Sequence, residues 1–361
     1  FVLKNGISNT PGKYIRLEQF KGDMEVQRIK ALEAIENPYC DYFFEVSTDN
    51  FEKIPGMPIA YWASDNIIQA FENGILMGEV LDVKQGLATA NNNRFLRLWY
   101  EVDQENCKFD SKNAKDLIES KKKWIPYNKG GQRRQWYGNY DYLVNWENDG
   151  FEIRNFVDSN GKQRSVVRSP EYHFKEAITW SDVTSGKFSI RYRTPGGIHD
   201  VSGMSAFHTG KANLKYILGL MGSNISNYIF KILNPTIHLQ VGDFKNFPVI
   251  IDNIFENFVI GKVNNCINLS KLDWDMHETS WDFKRSPLLS NKVNGRVETA
   301  YENYKREVNE RFAKLKENEE ELNRIFIEIY GLEDELTPEV PDRDITVAKI
   351  FDNKEDIYEE I

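Results

Sequence analysis

Cysteine is scarce in this chain, with only Cys40, Cys107 and Cys266 in 361 residues. Three widely spaced thiols cannot build a disulfide framework, and none sits in a Cys-x-x-Cys context that would seed a zinc cluster. Their usage suits a reducing cytoplasm. Long apolar runs are missing too. The most apolar stretch, YILGLMGSNISNYIFKIL at 216–233, is interrupted by Ser223, Asn224, Ser226, Asn227 and Lys231, so it predicts a buried core helix rather than a membrane span. The opening FVLKNG lacks the basic-then-apolar pattern of a signal peptide.

Catalytic constellations are equally thin. The five histidines, His173, His199, His208, His238 and His277, share no ligand spacing and read as structural or solvent-facing. TSGKFS at 184–189 and Gly210-Lys211 lack the glycine spacing and hydroxyl of a phosphate loop. Ser205 in SGMSAF has no Gly-x-Ser-x-Gly elbow. Asp273, Asp275, Glu278 and Asp282 form an acidic cluster near aromatics, which reads as helix caps and packing tryptophans and not as a metal site. No metal is expected.

What is present is a folded composition, 40% hydrophobic and 13% aromatic, long enough for two or three domains. The net charge of −9 on its face opposes nucleic acid, but from Tyr301 onward there are 19 acidic against 9 basic residues. The first 300 residues are therefore close to neutral, and total charge does not decide the partner.

The chain opens with strand patterns (FVLKN, KYIRLEQF), a helix (MEVQRIKALEAI) and a strand-like DYFFEVSTDNF, and the abrupt apolar start suggests a larger domain upstream. IPGMP at 54–58 marks a boundary. Short β-rich runs follow, FLRLWYEV, YLVNW, FEIRNF and FSIRYR, with one strongly apolar helix at 212–233, giving an α+β fold class. Near Asn291 the pattern changes. Val297, Tyr301, Tyr304, Val308, Phe312, Leu315, Leu322, Phe326 and Ile329 recur at helical steps, broken at Glu319, and predict one long amphipathic helix over 292–331 stopped by Gly331. The charged end, NKEDIYEEI, looks truncated or loosely held.

One segment stands out. KKKWIPYNKGGQRRQWYGNY at 121–140 holds Lys121, Lys122, Lys123, Lys129, Arg133 and Arg134 with no acid. Trp124, Tyr127, Trp136, Tyr137 and Tyr140 are interleaved. Cations beside a duplex release counterions from phosphates, which gives affinity blind to sequence. Arginine and glutamine, here with Gln132, can also read guanine or adenine edges bidentately. Gly130-Gly131 lets backbone approach phosphate closely. The plainer alternative is a solvated basic loop whose aromatics pack on the core beneath. A second basic run at 160–195 contributes Lys162, Arg164, Arg168, Lys187, Arg191 and Arg193, and the loop TANNNRF contributes Asn92, Asn93 and Arg94, suited to base edges or to a turn.

These residues carry a resemblance. GLATANNNRFLRLWYEV (86–102), KKWIPYNKGGQRRQWYGNYDYLVNWENDG (122–150), WSDVTSGKFSIRYRTPGGIHDVSGMSAF (180–207), NPTIHLQVGDFKNFPV (234–249), LDWDMHETSWDFKRSPLL (272–289) and ELNRIFIEIYGLEDELTPEV (321–340) resemble the C-terminal half of PglX-like enzymes. Those are adenine-specific DNA methyltransferases of BREX phage-defence systems, and type IIG restriction-modification proteins share the pattern. The resemblance implies that residues 1–54 end a methyltransferase domain and join it to the next, that 55–250 form a target-recognition domain similar to those of type I specificity subunits, that 251–340 form a helical spacer region, and that 341–361 are an acidic tail. It implies double-stranded DNA as partner, with the upstream methyltransferase domain and other defence-system proteins, and no membrane. S-adenosylmethionine belongs to the parent enzyme, with no cofactor on this chain. Asn37-Pro38-Tyr39 superficially matches the Asn-Pro-Pro-Tyr loop that holds the target amine, but it follows a helix and lacks the second proline, so it reads as a turn and no catalytic residue carries over. Two other readings stay open. One is docking of defence-system proteins through the long helix and acidic tail, and the other is a self-contained nuclease using the acidic cluster.

Overall fold

The computed structural model describes residues 10–182, 186–236 and 238–351. The expected strand FVLKN, part of TSGKFS and the end NKEDIYEEI lie outside or partly outside these residues. The first strand, Gly12–Ile15, pairs antiparallel with Phe43–Val46. Between them runs the helix Met24–Glu36, capped by the Asp23 carboxylate, which accepts from two backbone amides of the first turn. Asn37-Pro38-Tyr39 forms the turn that follows.

The rest is α+β, as expected, built on two four-stranded sheets. The first runs in the order Leu81–Lys84, Ser205–His208, Ala177–Trp180, Ile190–Arg193, antiparallel throughout. Its strand Ala177–Trp180 is buried along its whole length because helices cover it. Those helices, Leu214–Gly222, Asn224–Leu233, Glu256–Asp275 and Val297–Tyr330, share one hydrophobic core with the sheet that reaches from Ile54 to Val347. The second sheet runs in the order Ile198–His199, Trp124–Asn128, Tyr142–Asn145, Leu96–Leu98. It closes a smaller core of Phe95, Ile125, Tyr127, Val144, Trp146, Ile153 and Phe174.

Two local expectations change before the long helix. FEIRNF is not a strand: Asn148, Asp149 and Gly150 each take positive φ, and a helical turn follows through Arg154. Arg154 closes that turn on the Asp149 carbonyl at 2.7 Å while Trp146 holds the Asp149 carboxylate at 3.2 Å, a local network that outweighs the strand-like alternation. The apolar helix at 212–233 is two helices. Ser223 is extended between them, and the amide of Asn224 donates to the Asn323 side chain at 2.9 Å instead of continuing the helical ladder.

The long helix runs unbroken from Val297 to Tyr330, about 50 Å at 1.5 Å per residue. Leu315 and Phe326 are fully buried, and Gly331 ends the helix in the left-handed conformation at φ 64°. Glu319 does not break the packing but is itself buried within it. The first turns differ from the expected stripe, since Val297 and Tyr301 are exposed. After Leu332 the chain returns along the helix as a strap. Asn323 donates to the Pro338 carbonyl at 2.9 Å, Lys316 pairs with Asp342 at 2.5 Å, and Asn309 bonds the backbone of Ile350. Ile345 and Val347 anchor the strap in the main core. Among the described residues no helix is long and apolar enough to cross a membrane.

Candidate nucleic-acid interface

The segment singled out by its cations contains the strand Trp124–Asn128 and most of its connection to the neighbouring strand of the second sheet, Tyr142–Asn145. Its loop leaves that sheet and docks on the edge of the first. Trp136 donates its backbone N–H to Ile190 at 3.0 Å and accepts from Tyr192 at 2.8 Å, so it acts as one extra rung beside Ile190–Arg193. Gly130 and Gly131, at φ 86° and 137°, make the reversal that starts the excursion.

This docking divides the loop. Trp136, Tyr137 and Tyr140 are buried in the main core and Tyr127 in the smaller one. These four aromatics are therefore packing residues, the plainer of the two readings, while Trp124 stays half-buried with Arg97 and Lys123 5.8 and 5.7 Å from its ring. Gly222 is the seat for Trp136: a Cβ there would meet the indole at 2.5 Å. The indole N–H reaches Glu319 on the long helix at 2.7 Å, and burial pushes that carboxyl up to about 7 although the bond to Trp136 pulls it down.

The cations are sorted by the same geometry. Lys121, Gln132 and Arg133 are exposed, and Lys122, Lys123, Lys129 and Arg134 are half-buried. The Lys122 ammonium rests on the Glu105 carbonyl, Lys123 pairs with Glu147 at 3.8 Å, and Lys129 lies 4.9 Å over the ring of Tyr142. Arg133 donates to the Asp344 carbonyl at 3.0 Å. Arg134 lies 4.9 Å over Trp274 and 3.4 Å from Asp273.

Arg191 and Arg193 do not face solvent; they are 1% and 5% exposed. Strand alternation turns both toward the loop that covers them. Arg191 donates to the Arg134 carbonyl at 3.3 Å, and Arg193 packs 4.7 Å from the Tyr140 ring. Burial holds both guanidinium groups below their ordinary range, with Arg191 down to about 10. Composition could not separate these two from surface cations; the alternation of IRYR on a covered strand was the available signal. Lys187 is exposed and pairs with Asp344 at 2.5 Å. Arg164 is exposed, its amide donating to the Phe156 carbonyl at 2.9 Å, while Arg168 is half-buried with its Nη1 unpartnered among the described residues. Asn92, Asn93 and Arg94 stand exposed on a single helical turn capped by Asn91. Arg94 pairs there with Glu152 at 2.8 Å.

The outer face of the loop forms one wall of a cleft of about 560 Å³, whose other side comes from Trp274 and Thr279. Sequence reasoning missed Asp141 and Trp274 as members of this site. Trp274 follows the loop by more than a hundred residues and carries no local signal. Three acids of the cluster around it are held by ion pairs, Asp273 with Arg134 and Arg311, and Asp275 and Asp282 with Lys271 at 2.7 and 3.0 Å, while Glu278 is exposed. Among the described residues no group of three or more His, Cys, Asp or Glu side chains could hold a metal.

The chain is homologous to adenine-specific methyltransferases, as its motifs implied. It is 38% identical over 354 residues to the adenine-specific methyltransferase PglX of Lacticaseibacillus casei (strain Zhang), a match covering 96% of this chain and 29% of that protein. It is 35% identical over 294 residues to the adenine-specific methyltransferase BrxX of Escherichia coli O9:H4 (strain HS), covering 80% of this chain and 22% of that protein. The chain thus spans under a third of the length of the curated relatives it matches. No family model matches it.

Proposed function

We propose that this chain recognises duplex DNA on behalf of an adenine-specific methyltransferase of the PglX kind. The observation that carries the reading is the division of the 121–142 segment. Tyr127, Trp136, Tyr137 and Tyr140 are sunk in two cores, and Lys129, Gln132 and Arg133 are left at the wall of a polar cleft. Phosphate contacts from such a face fix register, and base-edge contacts choose the site. Methyl transfer to an adenine amine requires the base to leave the stack at a cost of a few kcal/mol, which a recognition surface offsets. In this reading the S-adenosylmethionine site and the target-amine loop belong to the remaining length of a PglX-sized protein.

Fluorescence anisotropy with duplex DNA over a salt series tests this. The logarithm of the association constant should fall linearly with the logarithm of salt concentration. Absence of binding at low salt, or binding indifferent to salt, sinks the proposal. A second reading, docking of another defence-system protein, is favoured by the exposure of Leu289, Val293, Val297 and Tyr301 near the start of the long helix. Under it, Val297→Asp and Tyr301→Asp would abolish co-purification with that protein and leave duplex binding intact.

A further inference from the structure

Asp141 closes the loop, and its carboxylate faces the cleft. The backbone carbonyl of Asp141 accepts from Trp99 at 3.0 Å, yet its side chain makes no hydrogen bond or ion pair among the described residues. Burial raises its pKa while Arg134 and Arg191 pull it down, so two guanidinium groups are near without pairing. Both are committed elsewhere, Arg134 toward Asp273 and Arg191 to the Arg134 carbonyl. Its oxygens are not sealed in the core but open to the cleft, where a ligand N–H can reach them.

Arg134 lines the same cleft. Its Nη1 is directed at Asp273 and its plane is held against Trp274, which fixes the fork while leaving other N–H donors unengaged among the described residues. The cleft, which Tyr142 and Trp274 also line, therefore presents a two-oxygen acceptor and a two-pronged donor. Its volume of about 560 Å³ lies within the roughly 300–1,000 Å³ of small-ligand pockets.

Guanine is the base that matches both groups. Its O6 and N7 accept from a guanidinium fork, and its N1–H and N2–H₂ form an adjacent donor pair for a carboxylate. In a paired base the second edge is occupied, so both contacts require the guanine to be out of the helix. We propose that this cleft binds a single unpaired guanine, with Arg134 on its O6/N7 edge and Asp141 on its N1/N2 edge. The proposal deepens the DNA-recognition reading and rests on it.

The test uses the chain as it stands and a pool of short duplexes of random sequence, fully paired or carrying one central bulged base. The bulged-guanine pool should bind roughly tenfold more tightly than the paired pool, the scale of one bidentate contact. Inosine, which lacks the 2-amino group, should lose most of that gain, and 7-deazaguanine should weaken the contact to Arg134. Asp141→Asn, shown to be folded by its thermal melt, should bring the guanine-to-inosine ratio close to one. Paired duplex bound normally but guanine bulges bound no better overturns the proposal and leaves DNA recognition standing. A guanine preference that survives inosine substitution, or survives Asp141→Asn, also overturns it. If neither paired nor bulged duplex binds, the DNA reading fails and takes this proposal with it.

Discussion

Trp136 donates its indole N–H to Glu319 at 2.7 Å, joining residues 183 positions apart in sequence. This bond fastens the cation-bearing loop to the long helix. It also places an ionisable group in the core. Burial raises Glu319 from 4.5 to about 7, so the folded state holds its proton more tightly than the unfolded chain does. The associated stability is fully present below pH 4.5 and is lost as pH rises through 7. At about 1.4 kcal/mol per pH unit the loss amounts to about 3 kcal/mol. Glu319→Gln should remove that decline. In urea titrations at pH 5 and pH 8, the variant should gain on the wild type by about that amount between the two; parallel profiles would refute the assignment.

His173 and His199 work in the opposite direction. Their rings lie 6.2 Å apart, and each Nε2 is buried without a partner among the described residues. Burial first, and then neighbouring positive charge from Arg154 on one ring and His173 on the other, holds them at about 4 and about 3 against an ordinary 6.5. The stability tied to their neutral form is complete above pH 6.5 and falls as pH drops below it, by about 1.4 kcal/mol per unit for each ring. Two histidines outweigh the opposing Glu319, so the chain should lose stability from pH 6.5 to 4.5. His199→Phe should make that slope measurably shallower in the same titrations, and an unaltered slope would contradict the account.

On the loop, Lys122→Ala and Lys129→Ala should weaken binding to any duplex and flatten the salt dependence by about one unit of slope for each phosphate no longer neutralised. Replacing Gln132 or Arg133 should instead cost about 1–3 kcal/mol at particular base pairs and relax site choice, and replacing Arg134 should cost a similar amount at the one position where it meets an unpaired guanine. Methylation-site sequencing of a full-length enzyme carrying each change separates the two effects. Unchanged preference in all three would remove base reading from this loop.

Asp273 is 2% exposed and serves three elements at once: Arg134 of the loop, Arg311 of the long helix and the Ala348 amide of the strap. Asp273→Ala strands Arg311, whose Nη1 is already buried without a hydrogen-bond partner among the described residues, and should destabilise the chain by about 3–5 kcal/mol. Asp273→Asn keeps the amide contact and should cost less. Equal denaturation midpoints for wild type and Asp273→Ala would rule out this three-way role.

The long helix and its glycine stop were legible because a spacing of three and four residues is written directly in the chain. So was the cation loop, as a composition without acids. What was not legible depended on partners far away in sequence. Glu319 reads as an interruption of an apolar stripe until Trp136 is placed opposite it. Arg191 and Arg193 read as surface cations until the loop that covers them is known. The cleft itself needs Trp274 brought beside Asp141, and nothing local in either stretch announces the other. The kink at Asn148–Gly150 was hidden for the opposite reason: its cause is local, but alternating Phe151 and Ile153 imitate a strand.

The boundary between surface and core along the loop falls sharply between Arg134, still partly in solvent, and Gln135, which is buried. Everything from Gln135 to Tyr140 is mortised into helices, sheet edge and strap, while positions 129–134 hang outside that joint. Within that stretch Gly130 and Gly131 are fixed by their positive φ and Arg134 by Asp273 and Trp274, which leaves Lys129, Gln132 and Arg133 as the side chains least tied to the packing. Under the proposed DNA-reading role, a lineage could re-address such a protein to a new site by drifting through those three positions, keeping the foundation it already has.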